Sequence, residues 1–197
     1  MESTIDRRHA VRLAALPLIS ERGFTNVSFA EAAEASGLSE TELGELYDST
    51  RAIVTENDYF TVIVKTFREC PSDLSCAAAW VVAIDEIAAT MTAEEWATER
   101  LRNEIYARED NVIGGIVHEL MGIIAGLNNA VAVRCGIAPT STPAAVFTGT
   151  VVGTMMSMPL GFYPDSDAWV EAHAVAIEAL GPSLDRMLQP VPVQTRR

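Results

Sequence analysis

The sequence predicts an all-α protein, and three observations carry the prediction. Apolar residues recur at helical spacing along most of the 197 residues,. Hydroxyl and carboxylate residues three apart mark helix starts, while glycines stand where helices should stop. No Asn-Gly or Asp-Gly hairpin and no long alternating run occurs,.

Nine helices are expected, at roughly 5–22, 28–35, 39–46, 50–69, 73–90, 93–108, 110–135, 143–158 and 167–188,. The first contains Pro17, which removes a backbone hydrogen bond at a cost of about 3 kcal/mol unless the helix kinks. It stops at Gly23. The second and third open on Ser28-Phe29-Ala30-Glu31 and Ser39-Glu40-Thr41-Glu42, both capping boxes,. Gly37 stands between them in a turn. Thr92-Ala93-Glu94-Glu95 is a third capping box, opening the sixth helix, and Gly136 closes the seventh,. Thr142 and Pro143 read as N-cap and first residue of the eighth. Beyond the ninth, Gln189 to Arg197, with Pro190 and Pro192, reads as a loose end,.

Composition narrows the functional classes. Fourteen basic and 27 acidic residues give a net charge of −13, and Lys65 is the single lysine. With 49% hydrophobic residues the chain can bury a real core, which excludes disorder, collagen and a disulfide scaffold,. The acidity argues against generic nucleic-acid binding, which needs clustered cations to displace counterions. Cys70, Cys76 and Cys135 are odd in number and contain no CxxC pair, so they read as buried or incidental thiols in a reducing cytoplasm rather than a metal site,. The first residues, MESTIDRRHAVR, are too charged for a signal peptide,. Cys135 to Pro164 has no charge, but its prolines, glycines and hydroxyl residues suit a buried helix or a subunit interface better than a membrane span,.

Two regions follow, 1–52 with three short helices and 53–197 with longer ones. Segment 1–52 sets five arginines against nine carboxylates and carries −4, leaving −9 for the rest. Within it, SFAEAAEASGLSETELGELY from Ser28 to Tyr47 has the spacing of a helix-turn-helix. Ala33 is small where two helices touch, Gly37 suits a left-handed turn, and Leu38 and Leu43 point inward. An ordinary αα-hairpin has the same spacing. The residues upstream add Ala14-Ala15-Leu16 and Glu21-Arg22-Gly23-Phe24.

Over residues 7–54 this pattern resembles the N-terminal domain of the tetracycline-repressor (TetR) family, with Tyr47 where that family usually has Phe. The resemblance implies a cytoplasmic homodimeric repressor with no cofactor. Its N-terminal helices would read operator DNA, and its C-terminal bundle would hold a small-molecule inducer. The last two helices, 143–158 and 167–188, would form a four-helix dimer interface. The residues placed toward DNA are Arg7, Arg8, Ser28, Ser39, Glu40, Thr41, Glu45 and Thr50, with Arg12 a further possible phosphate contact.

The chain departs from the family on the DNA-facing helix. Thr41, Glu42, Gly44 and Thr50 stand where the family has Gly, Thr, Tyr and Lys, and Glu40 and Glu45 occupy positions that are often basic. Carboxylates there repel phosphates, and Gly44 lacks a phenol to bond one. Glu42 has a local explanation as the capping partner of Ser39, and glutamate can accept from cytosine N4. Two functions remain open: a ligand-responsive regulator, or a TetR-like fold without DNA binding that acts as a small-molecule-binding protein, a partner-binding antagonist or an enzyme on a hydrophobic substrate.

For the inducer pocket the family layout selects Trp80, Trp96, Arg102, Tyr106, His118, Met121, Asn128 and Met155. Large apolar walls with a few polar groups suit such a pocket, and simple core packing is the plainer account of the tryptophans. His118 could donate to a ligand or act as a base, or be an ordinary core histidine. His118-Glu119 begins like HExxH, but Gly122 ends the match, so no zinc site follows,. Glu94 to Asp110 reads as a solvated face with i,i+4 ion pairs. No catalytic set can be assembled. Small residues at Ala144, Ala145, Gly149, Gly153 and Ser157 give the eighth helix a face for close packing,.

Overall fold

In a computed structural model the chain is described over residues 4–108, 113–158 and 160–189, without the side chains of 113–119. The described residues form ten α-helices and no strand: α1 (Thr4–Arg22), α2 (Phe29–Ala35), α3 (Glu40–Gly44), α4 (Thr50–Thr55), α5 (Asp58–Glu69), α6 (Cys76–Ala88), α7 (Ala93–Arg108), α8 (Ile113–Cys135), α9 (Thr142–Ser157) and α10 (Ser166–Leu188). The all-α expectation holds. Of the expected loose end from Gln189 to Arg197, residues 190–197 lie outside the described residues.

Local chemistry sets most boundaries as expected. Gly23, Gly37 and Gly136 have φ of 81°, 67° and 64°, the left-handed conformation that glycine adopts without a Cβ penalty,. Both capping boxes of the N-terminal region are complete: Ser28 and Ser39 accept from the backbone N–H of Glu31 and Glu42, whose carboxylates bond back. Thr92 and Glu95 exchange the same pair at 3.2 and 2.7 Å. Pro17 is carried within α1 on its exposed side.

Two expectations are corrected. The helix expected over 50–69 is two helices, because Glu56 is extended (ψ 139°) and ends α4. Near α9 the cap is Ser141 rather than Thr142; Ser141 is extended and its carbonyl accepts from Ala145 N–H at 3.0 Å. Thr142 is therefore already helical.

The chain divides into two compact units, one of 1–58, 90–121 and 159–166, the other of 59–89, 122–158 and 167–197. The first thus joins the N-terminal helices to α7. Its core gathers Val11, Leu16, Ile19, Leu43, Tyr47 and Ile105, among others. Ala32 and Ala33 are buried where α2 passes α1 and α3.

The second unit is built on aromatic rings. Trp80, fully buried, lies 6.0 Å from both Phe60 and Phe67, and Phe67 stacks on Phe147 at 6.1 Å. On α10, Gly181 is buried so closely against α6 that an added Cβ would come within 3.1 Å of Ala77 Cβ. Trp80 Nε1–H donates to His173 Nε2 at 3.2 Å, and Trp169 stacks on the same imidazole at 5.3 Å. That hydrogen bond requires a neutral ring with its proton on Nδ1.

Burial pushes the His173 pKa from 6.5 down to about 4. Between these values the unfolded chain binds a proton that the fold refuses, so stability falls as pH drops from 6.5 to 4 and levels off below,. The loss is about 3 kcal/mol. His173→Gln keeps an acceptor for Trp80 and removes this pH dependence. Urea midpoints measured across that window should decline less steeply in the variant, and equal slopes would contradict the assignment.

Candidate functional site

The helix-turn-helix is built from α2, the Gly37 turn and α3. Leu43, Leu46 and Tyr47 face inward and are buried, while Glu40, Thr41, Glu42, Gly44 and Glu45 are exposed. Gly44 faces open space, with no described atom within 4 Å of an added Cβ, so packing does not demand glycine there. Ser28 and Ser39 lie at the exposed starts of α2 and α3 with their hydroxyls engaged in capping.

Glu42 stays charged. The Ser39 N–H at 2.8 Å, and then the Ser39 hydroxyl, hold its carboxyl below the usual carboxylate range, as Ser28 does for Glu31. Capping accounts for the presence of Glu42 but does not neutralise it.

Of the five arginines in 1–52, Arg8 and Arg12 are engaged inside the fold and the other three lie nearer the surface. Arg7 approaches Glu45 at 3.9 Å, an exposed pair of little strength,. Arg8 pairs with Glu56 and, at 3.0 Å, with Asp58, and its guanidinium lies 4.3 Å over the Tyr47 ring. Tyr47 O–H donates to the Arg8 carbonyl at 3.1 Å, which gives the hydroxyl absent from phenylalanine a structural use. Arg22 pairs with Glu31. Arg51 lies exposed with its guanidinium 5.5 Å from the Phe24 ring, and no carboxylate lies within ion-pair distance among the described residues.

Arg12 is buried, 1% exposed. It donates to Asp58 at 2.8 Å and to the carbonyls of Ile53 and Glu56 at 3.2 and 2.6 Å. From α7, Arg102 pairs with Glu99 at 2.8 Å and donates to Val54 O at 3.1 Å. Tyr106 O–H reaches Thr55 O at 3.3 Å. Four successive carbonyls at the end of α4, which the helix itself cannot satisfy, are thus capped by side chains from two other helices. This is why the helix breaks at Glu56.

Thr50, at the position where a family member carries Lys, is buried. With Phe24, Val27, Phe29, Asp48, Ser49 and Arg51 it lines a shallow open concavity of about 590 Å³.

The residues expected to share a ligand pocket divide between the two units: Trp96, Arg102, Tyr106, His118 and Met121 in the first, Trp80, Asn128 and Met155 in the second. Trp80, Trp96 and Arg102 are buried, Tyr106, Asn128 and Met155 half-buried, and Met121 is exposed. The His118 side chain lies outside the described residues. Asn128 Oδ1, Thr148 Oγ1 and His173 Nδ1, all in the second unit, are buried without a hydrogen-bond partner among the described residues. No group of three or more metal-ligating side chains occurs among them either.

In layout the chain is similar to TetR-family regulators. A protein from Pseudomonas aeruginosa PAO1 described as a transcriptional regulator is 17% identical over 95% of this chain and 96% of its own, with a TM-score of 0.48. A TetR-family transcriptional regulator from Bordetella parapertussis 12822 is 19% identical over 86% and 93%, with a TM-score of 0.42. A third protein, from Mesorhizobium loti MAFF303099 and ascribed to the TetR family, is 14% identical over 92% and 98%, with a TM-score of 0.49. No protein-family model and no curated protein matches the chain.

Sequence reasoning missed Asp58 and Glu99 as partners of the arginines, and it missed Arg51 as an exposed cation with no carboxylate within ion-pair distance among the described residues. The first two come from residues 46 and 87 positions away from Arg12, a distance at which spacing carries no signal. Arg12→Met removes the donor to the Ile53 and Glu56 carbonyls and leaves half-buried Asp58 and buried Glu99 with one arginine each, Arg8 and Arg102, and should destabilise the protein by about 2–3 kcal/mol,. Arg22→Ala, which removes an exposed pair, should cost at most about 1 kcal/mol. Urea denaturation of both variants checks the contrast.

Proposed function

We propose that this chain is a homodimeric, ligand-responsive transcriptional regulator whose helix-turn-helix binds operator DNA with unusually few phosphate contacts. One observation carries the proposal: α2 and α3 are joined by a positive-φ Gly37 turn and fixed by two complete capping boxes, with the outward side of α3 left entirely to polar residues and glycine. Thr41, Glu40 and Glu45 are the side chains available to base edges, and the glutamates are suited to cytosine N4–H₂ donors. Arg51 and Arg7 supply the phosphate contacts, with Arg8 reserved for Asp58, Glu56 and Tyr47.

Dimerisation through α9 and α10 has its own support. Ala145, Gly149, Gly153 and Ser157 form an exposed stripe at four-residue spacing, and an added Cβ at either glycine meets no described atom within 4 Å. Val146, Met156, Val175 and Leu180 are exposed apolar residues on the same two helices. Trp169 and Ile177 are buried within the protomer and are not part of that surface. For the ligand, the unpartnered Asn128, Thr148 and His173 atoms favour an amphipathic small molecule bound in the second unit,.

A second reading, a binding protein or enzyme without DNA affinity, is favoured by the internal pairing of Arg8 and Arg12. An electrophoretic shift on the DNA flanking the chain's own gene, at about 50 mM salt, separates the two. A shift is expected, with a salt slope no steeper than about −4 because two arginines per head release few counterions. Glu45→Gln should alter sequence preference. No shift at that salt concentration leaves the second reading standing.

A further inference from the structure

Cys76 is the first residue of α6, after the Ser75 cap, and Cys135 is the last residue of α8. Their sulfurs are 3.1 Å apart although 59 positions separate them in the chain. The approach is held from both sides. Arg134, the neighbour of Cys135, donates to the carbonyls of Cys70 at 2.9 Å and Leu74 at 2.7 Å, and also to that of Pro71, binding the loop before α6 to the last turn of α8. From α10, Asp185 accepts from Ala77 N–H at 3.2 Å and fixes the first turn of α6.

We propose that Cys76 and Cys135 are a hydroperoxide-sensitive modification site, converting between two thiols and an intrachain disulfide that staples α6 to α8. Cys135 is half-buried and meets the oxidant first, whereas Cys76 is buried. Burial, and then the hydrogen bond with Cys135, push the Cys76 thiol well above its ordinary range, which makes it the resolving partner,. The Cys135 thiolate attacks one peroxide oxygen and the O–O bond breaks. Hydroxide leaves, takes up the thiol proton and departs as water, so Cys135 becomes a sulfenic acid. The Cys76 sulfur then displaces hydroxide from the Cys135 sulfur, and the Cys76 proton completes a second water. The two thiols lose two electrons and one hydrogen peroxide gains them.

Cys70 is the internal control. Its thiol donates to the Ala79 carbonyl at 3.5 Å and has no part in the pair. The site is independent of whether the protein binds DNA.

The test is treatment of the full chain with equimolar hydrogen peroxide, alkylation of the remaining thiols and peptide mapping by mass spectrometry. A Cys76–Cys135 linked peptide is expected, lighter by two hydrogens, with Cys70 alkylated and the link reversed by dithiothreitol. Closing a 59-residue loop should also raise Tm by at least about 5 °C,. Cys76→Ser should leave a sulfenic acid on Cys135 that dimedone traps, and Cys70→Ser should leave the link intact. The proposal is overturned if both thiols stay alkylatable, if Cys70 forms the bridge, or if the only product links two chains.

Discussion

The first unit depends on how α4 ends. A six-residue helix cannot satisfy its own last carbonyls, and those of Ile53, Val54, Thr55 and Glu56 lie in or beside a buried environment,. Arg12, Arg102 and Tyr106 supply the donors. Two guanidiniums in so dry a place require counter-charges, and Asp58 and Glu99 provide them. Desolvation by itself would favour neutral Arg102, but Glu99, with smaller contributions from Tyr106 and Asp58, holds the pKa of Arg102 above its ordinary value. Buried pairs of this kind are weak evidence of net stability compared with an apolar core, yet removing one member strands the other. Their clearest consequence is geometric: they fix where α4 stops and α5 begins.

That constraint explains the distribution of charge around the helix-turn-helix. Of the five arginines in 1–52, Arg12 is enclosed, Arg8 is held between two carboxylates and an aromatic ring, and Arg22 is paired to the α2 capping box. The segment's net charge of −4 therefore understates how little positive potential reaches its outer face. Meanwhile Glu42 and Glu31 are held ionised by the caps that start their helices. Acidity on this face follows partly from the local chemistry of helix initiation, since a capping box places a carboxylate at the third position whatever the helix later contacts.

What could be read in the sequence was what depends on near neighbours. Ser39 and Glu42 are three residues apart, Gly37 acts through its own φ, and the inward positions of Leu43 and Tyr47 follow from helical period. The break at Glu56 was not visible, because residues 50–69 keep an unbroken helical pattern and the decisive donors come from Arg12 and Arg102. The fate of Arg8 was hidden for the same reason: its side chain carries the same charge whether it faces a phosphate or Asp58. Trp80 is a core ring packed against Phe60 and Phe67, one of the two uses the sequence leaves open for it, and only three-dimensional packing separates those uses. The Cys76–Cys135 contact likewise spans 59 positions and forms no CxxC pattern.

For the dimeric regulator proposed above, few phosphate contacts would change what operator binding must rely on. Each helix-turn-helix with two available arginines has a small electrostatic share of affinity, and glutamates on α3 favour particular bases only after the backbone has been brought near. A single head would then bind weakly. Two heads on the proposed dimer would make the second contact intramolecular, and avidity can multiply affinity by roughly 10² or more without any new contact. Occupancy would be set less by α3 alone than by the spacing of the two heads, so a ligand that altered that spacing would act on the main source of affinity. On that proposal, an acidic reading head would be poorly made for holding DNA by itself and well suited to releasing it.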